Sequence, residues 1–238
     1  DANATEYDYY VFKDLALTAI FVPSNDLAEA LDQTQLPFVS SIPSWRKVTT
    51  GTHDGVDAVQ PPTVTATYTS SVITAAVTGP KILSFWWKSQ STDDAGGMSF
   101  SVDYADQRSL MGITGWRREF VQIPAGSHTL YWNFNRGSDA VSTAWLDQVM
   151  IADDLNQDGL PDDWENLHFP STVAAAADDA DGDTISNQDE WADGTNPKSA
   201  SSAIYRLNLV KPADFAVTIS PDAVGYAPGA VVTLTAPP

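Results

Sequence analysis

The chain has no cysteine, so it can have neither a disulfide framework nor thiol chemistry. An exported protein built this way must rely on packing and bound metal instead. Basic residues are scarce: 12 Lys and Arg stand against 31 Asp and Glu, a formal charge of −19. Such a surface repels phosphate backbones and anionic lipid, which excludes nucleic acid and membrane insertion as partners. No apolar run approaches the ~18–20 residues needed to span a bilayer. The opening Asp1-Ala2-Asn3-Ala4-Thr5 lacks the basic and apolar regions of a signal peptide, and the chain reads as a piece of something longer. Only His53, His128 and His168 could act as neutral-pH bases. His53 reads as a turn residue and His128 as a strand cap. Nothing matches a nucleophile elbow or a zinc motif, so no enzymatic activity is expected.

What is present is acid at ordered spacing. Between Asp153 and Asp193 there are many carboxylates and no Lys or Arg. Asp154, Asn156, Asp158, Asp162 and Glu165 fall at positions 1, 3, 5, 9 and 12 of a loop with Gly159 at position 6. This is the EF-hand spacing, in which alternate side chains of a tight loop aim oxygens at one hard cation. Leu160 would add its backbone carbonyl, and Glu165 would close the cage with both oxygens. A second loop repeats the set with Asp179, Asp181, Asp183, Asn187 and Glu190, and with the carbonyl of Ile185. Thr184 stands where the glycine is expected, so the second site should be weaker or less regular. Two Ca²⁺ ions are the expected cofactors. Asp54, Asp57 and Asp147 are candidates for a third site.

The rest of the chain reads as mainly β: an antiparallel jelly roll or β-sandwich, a small calcium-binding loop-helix segment, and short flanking β segments. The expected units are 1–23, 24–151, 152–200 and 201–238. In the second unit, short alternating runs are separated by turn signals. Ile73, Ala75 and Val77 form one inward row before a turn at Gly79-Pro80. Leu83, Phe85 and Trp87 form another, with Ser84, Trp86 and Lys88 on the opposite face. Met98, Phe100 and Val102 follow, then Leu130, Trp132 and Phe134 after a turn at Pro124-Ala125-Gly126-Ser127. Trp145, Val149 and Ile151 belong to a closing strand. A helix should leave each acidic loop, the second running from Ser186 to Ala192 and stopped by Gly194. Trp164 and Trp191 should pack those helices together.

Three resemblances arise at these residues. Asp154 to Pro197, with Asp179-Ala180-Asp181-Gly182-Asp183 and Gly194-Thr195-Asn196-Pro197, resembles the thrombospondin type 3 and dockerin-like calcium repeats of bacterial surface proteins. His53-Asp54-Gly55-Val56-Asp57-Ala58, Leu83-Ser84-Phe85-Trp86-Trp87-Lys88, His128-Thr129-Leu130-Tyr131-Trp132 and Trp145-Leu146-Asp147-Gln148-Val149 together resemble a lectin-type jelly-roll module of large secreted bacterial proteins. Ala216 to Pro221 with Tyr226 to Thr235 is similar to the first half of an internalin-type B repeat, and Val11 to Pro23 to the second half. These resemblances imply a secreted or cell-surface location and a calcium-stabilised structural or adhesive role, with neighbouring copies or modules as possible partners. The alternative is a carbohydrate-binding module appended to a secreted enzyme, with Trp86 and Tyr131 as glycan-stacking residues.

Overall fold

The computed structural model describes residues 27–41, 44–63, 70–92, 96–138, 142–170, 174–207, 209, 216–221, 223 and 225–236. The half-repeat expected over 1–23 lies outside these residues. The fold is mainly β. Helix α1 (Leu27–Ala30) precedes β1 (Phe38–Ser40), β2 (Arg46–Val48), β3 (Ala58–Gln60), β4 (Ser70–Gln90), β5 (Gly97–Val102), β6 (Ala105–Met111), β7 (Arg117–Asn135) and β8 (Thr143–Asp153). Then come α2 (Asp162–His168), α3 (Asn187–Asp193), β9 (Thr218–Ser220) and β10 (Thr233–Thr235).

The sandwich is organised by two long antiparallel strands, β4 and β7. They pair along their whole length, from Ser70 opposite Asn135 to Trp87 opposite Arg117. The other edge of β4 takes β1 at Ile73–Ala75 and β8 at Lys81–Gln90. β5 and β6 extend the sheet beyond the C-terminal half of β7, while β3 and β2 extend it beyond β8. Each long strand therefore contributes to two sheet halves that enclose one core.

Gly79-Pro80 and the Pro124–Ser127 stretch do not separate strands, as the turn signals suggest. They are facing corners inside β4 and β7. The register slips between Gly79 and Lys81, and a Cβ on Gly79 would lie 2.0 Å from the Pro124 carbonyl oxygen. Only glycine permits that backbone approach. The expected inward rows are all buried: Ile73, Ala75, Val77; Leu83, Phe85, Trp87; Met98, Phe100, Val102; Leu130, Trp132, Phe134. They form one cluster with Trp45, Val59, Val121 and Ile123. β8 departs from the expectation. Gln148 takes φ 46°, which shifts the register between Ser84 and Trp86 of β4. This bulge lets Ala144 and Leu146 share the inward phase of Val149. Trp145 turns outward, where Lys88 lies 4.1 Å from its ring centroid.

The C-terminal unit is slight. Tyr205 and Tyr226 make a single bridge, and β9 pairs with β10 with no fully buried residue in either strand. No helix among the described residues is long and apolar enough to cross a membrane.

Candidate cation loops and a cleft beside them

Both acidic loops follow the same backbone path. In the first, Gln157 and Gly159 take φ 59° and 95°; in the second, Gly182 and Thr184 take φ 83° and 79°. Positions 4 and 6 are thus left-handed in both loops, with glycine at opposite positions. Thr184 adopts the turn expected of glycine, at the steric cost a β-branched residue carries there.

In each loop the first aspartate organises the backbone. Asp154 accepts N–H bonds from Asp158 and Gly159 at 3.1 and 3.0 Å. Asp179 accepts from Gly182, Asp183 and Thr184 at 2.7, 3.2 and 2.7 Å. The Thr184 bond is the main cause of a lowered Asp179 pKa. Asp154 is instead raised by its burial, against the pull of its own N–H donors.

Beyond this shared frame the loops differ, and the second is the better assembled. One carboxylate oxygen from each of Asp179, Asp181 and Asp183 lies within 4.8 Å of the others. Asp181 and Asp183 each spend Oδ1 on a loop N–H, at 3.2 and 2.8 Å. Asn187 donates Nδ2 to the Ala175 carbonyl at 2.9 Å, and Glu190 Oε1 accepts from Thr195 Oγ1 at 3.2 Å. The remaining oxygens, Asp181 Oδ2, Asp183 Oδ2, Asn187 Oδ1 and Glu190 Oε2, are buried with no hydrogen-bond partner. Glu190 is wholly buried. Its pKa is pushed up to about 7, first by burial and further by the charges of Asp181, Asp183 and Asp179. Ile185 is half-buried and donates its N–H to Asp183.

In the first loop the same positions are tied to one another. Asn156 Nδ2 donates to Asp158 Oδ2 at 2.7 Å, and Asp162 Oδ2 accepts from the Leu155 N–H at 2.7 Å. Burial and then Asp158 raise the Glu165 pKa. Leu160 is fully buried and anchors the loop. Thr184 thus does not keep the second loop from gathering its carboxylates.

Helix α3 connects the loops and fastens them to the sandwich. Ser186 caps its N-terminus by accepting the Asp189 N–H, and Gly194 ends it at φ 68°. Gln188 Nε2 donates to the Gly159 carbonyl of the first loop at 2.8 Å, and Gln122 of β7 donates to the Gln157 carbonyl at 2.6 Å. Arg118 of β7 bonds Asp189 at 3.1 Å and also pairs with the buried Asp193. Arg206 bonds Asp193 from the other side at 2.8 and 2.6 Å. Tyr205 donates its hydroxyl to the Asp183 carbonyl at 3.0 Å. The two tryptophans do not meet in a helix–helix contact. Trp191 packs toward Phe120 of the sheet at 6.2 Å, and Trp164 lies over His168 and Phe169 of its own helix end. The amphipathic face of α3 is thus satisfied by β7 rather than by α2, which buries no residue fully.

Trp86 does not offer its face to solvent. It is 7% exposed. His53 stacks on it at 3.8 Å, and Arg118 and Arg206 lie 4.6 and 4.8 Å from its ring centroid. Both faces of this part of β4 are covered, one by the core and one by loop 51–57 and the C-terminal segment. His53 is itself buried, and its N–H bonds Asp147 Oδ2 at 2.7 Å. Burial lowers its pKa to about 4, so the ring is neutral. Its Nδ1 bonds Gln148. Beside it runs a cleft of about 1090 Å³ lined by His53, Asp54, Trp116, Arg117, Arg206 and Leu207, among others. Pattern reading misses this site because it is made between a turn, a strand start and a distant segment.

The trio Asp54, Asp57 and Asp147 is not brought together as expected. Asp57 pairs with Lys47 at 2.8 Å, and Asp32 takes its place beside Asp54 and Asp147. Burial pushes Asp147 up to about 7. Tyr131, on the far sheet half, pairs with Tyr104 at 4.4 Å. Tyr104 sits at φ 66° in the two-residue turn between β5 and β6 and is 79% exposed. His128 bonds Asp103 at 2.6 Å beside them, which raises the His128 pKa.

No protein-family model matches this chain, and no curated protein matches it. Solved structures are similar over about half of it. The secreted serine protease VesC from Vibrio cholerae gives a TM-score of 0.41 at 17% identity, covering 55% of this chain and 27% of the protease. TmCBM61 in complex with beta-1,4-galactotriose gives 0.36 at 9%, covering 56% and 98%. The K3 cleaved adhesin domain of Lys-gingipain from Porphyromonas gingivalis gives 0.34 at 13%, covering 46% and 91%.

Proposed function

We propose that this chain is a non-enzymatic, calcium-stabilised structural or adhesive module of a secreted or cell-surface protein. One observation carries the reading: four buried oxygens of the second loop have no partner, beside three gathered carboxylates. Leaving a buried acceptor unpaired costs about 1–3 kcal/mol, more for a charged group. A cation with oxygen preference removes that cost at every one of them. Ca²⁺ takes six to eight oxygens at about 2.3–2.6 Å, and sites of modest affinity suit the millimolar calcium outside cells. Asp181, Asp183, Asn187 and Glu190 would supply side-chain oxygens, with Asp179 and the Ile185 carbonyl completing the set. The first loop would hold a second ion after Asn156 and Asp158 release each other. Bound ions would clamp α3, and through it the segment, onto β7.

Isothermal titration with CaCl₂ and with MgCl₂ tests the reading. Calcium should bind with release of heat at the second loop, Asp183→Ala should abolish that phase, and magnesium should bind far more weakly. A wild-type chain that takes up no calcium would sink the proposal.

A second reading, a carbohydrate-binding module of a secreted enzyme, is favoured by the exposed Tyr104 next to Tyr131. Paired rings at a sheet surface provide apolar area at little entropic cost. Glycan-array binding lost on Tyr104→Ala or Tyr131→Ala would support it, and a blank array would remove it.

A further inference from the structure

We propose that the cleft between loop 51–57, the start of β7 and the C-terminal segment is a binding site for a neutral saccharide. This rests on the glycan reading above but places the ligand at Trp116 and His53 rather than at Tyr104 and Tyr131.

The cleft has the chemistry a sugar ring needs. His53 Nδ1 bonds Gln148 Oε1, so Nδ1 is the donor, and Nε2 is an acceptor with no partner among the described residues. The ring is 5% exposed and lines the cleft. A neutral imidazole acceptor on a cleft-lining residue suits a ligand carrying O–H donors. Asp54 lines the same wall, with Oδ1 engaged by the Val56 N–H at 2.7 Å and a second oxygen left to accept another hydroxyl. Arg117 is exposed, lines the cleft and makes no ion pair among the described residues. Its guanidinium can donate to two neighbouring hydroxyl oxygens of a sugar at once.

The apolar part comes from Trp116 and Leu207. Trp116 meets His53 edge-on at 5.5 Å, and Lys88 lies 4.7 Å from its ring centroid. The indole is thereby held at the mouth of the cleft. Leu207, 42% exposed, also lines the cleft. A ring with C–H faces and a hydroxyl rim fits between an aromatic, an aliphatic and a few placed polar groups, the general composition of small-ligand sites. The volume of about 1090 Å³ admits several sugar units. Arg206 is already held by Asp193, and Asp54 offsets the charge of Arg117 in the lining. A neutral saccharide therefore fits better than an acidic one.

The test is calorimetry of the whole chain in calcium buffer against cellotetraose, xylotetraose, mannotetraose, β-1,4-galactotetraose and tetragalacturonate. At least one neutral probe should bind. Trp116→Ala and Arg117→Ala should each weaken it at least tenfold, while Gln107→Ala, at an exposed position of β6 outside the cleft, should leave it unchanged. Arg117→Ala keeps the test decisive should Trp116→Ala fold poorly. Binding that survives Arg117→Ala but is lost in Tyr104→Ala would overturn this site and leave the glycan reading standing. Tetragalacturonate binding more tightly than every neutral probe would overturn the ligand class. No binding of any probe would remove both.

Discussion

At the scale of single residues, the two loops show one backbone demand met in two ways. Each needs a left-handed residue at positions 4 and 6. Glycine supplies position 6 in the first loop and position 4 in the second, leaving Gln157 and Thr184 to bear the steric cost. A β-branched residue bears more of it than glutamine. Thr184→Gly should therefore stabilise the loop by about 1 kcal/mol and tighten calcium several-fold. Titration of that variant beside the wild type checks this, and unchanged or weaker affinity would count against it. His53 offers a second residue-scale test. Its native pKa lies near 4, below the usual 6.5, so the native state disfavours the protonated ring. The stability it permits is complete above about 6.5 and is lost as pH falls toward 4, by up to about 1.4 kcal/mol per unit. Asp147, raised to about 7, acts in the opposite sense and loses stability as pH rises from about 4 to 7. The stability gap between wild type and His53→Gln, measured by urea unfolding in calcium buffer, should shift against the wild type as pH falls from 6.5 to 4.5. A constant gap would contradict the neutral, buried imidazole.

At the scale of elements, the inward rows of β4, β5 and β7 were legible because a period of two survives wherever one face meets the core. The same pattern could not distinguish a turn from a corner. Gly79-Pro80 and Pro124–Ser127 carry turn chemistry, and only their mutual contact shows that two long strands bend together. The Gln148 bulge was likewise invisible, since one added residue inverts which side chains face inward. Oxygen spacing marked the loops, while which of those oxygens the backbone already uses could not be read from it. Trp86 looked like an open platform because its strand alternates; the residues that cover it, His53 and Arg206, are remote in sequence. The join between α3 and β7 also rests on remote contacts. Asp193 sits between Arg118 and Arg206 with almost no exposure. Removing it takes from the largely buried Arg118 one of its two acid partners and from the exposed Arg206 its own, a loss on the order of 1–3 kcal/mol. Asp193→Ala should release the segment from the sheet, seen as protease cleavage between Asp154 and Lys198 at concentrations that spare the wild type. Equal resistance would contradict the assignment.

At the scale of the whole molecule, two kinds of stability sit side by side. The sandwich buries Trp45, Trp87, Trp132, Phe85 and Phe100 completely. Each such ring contributes on the order of 3 kcal/mol of burial, so on the proposed reading the sandwich should hold without metal. The loop segment has little core of its own: α2 buries nothing fully, and α3 buries one large apolar side chain, Trp191. On the proposed reading its charges repel one another until cations bind, and that binding would add directly to its folding free energy. The most direct measurement is hydrogen exchange along the chain in calcium and in chelator. Residues 154–200 should exchange rapidly in chelator and slowly in calcium, while the amides of β4 and β7 within the core remain protected in both. Equal protection of residues 154–200 in the two conditions would contradict the account.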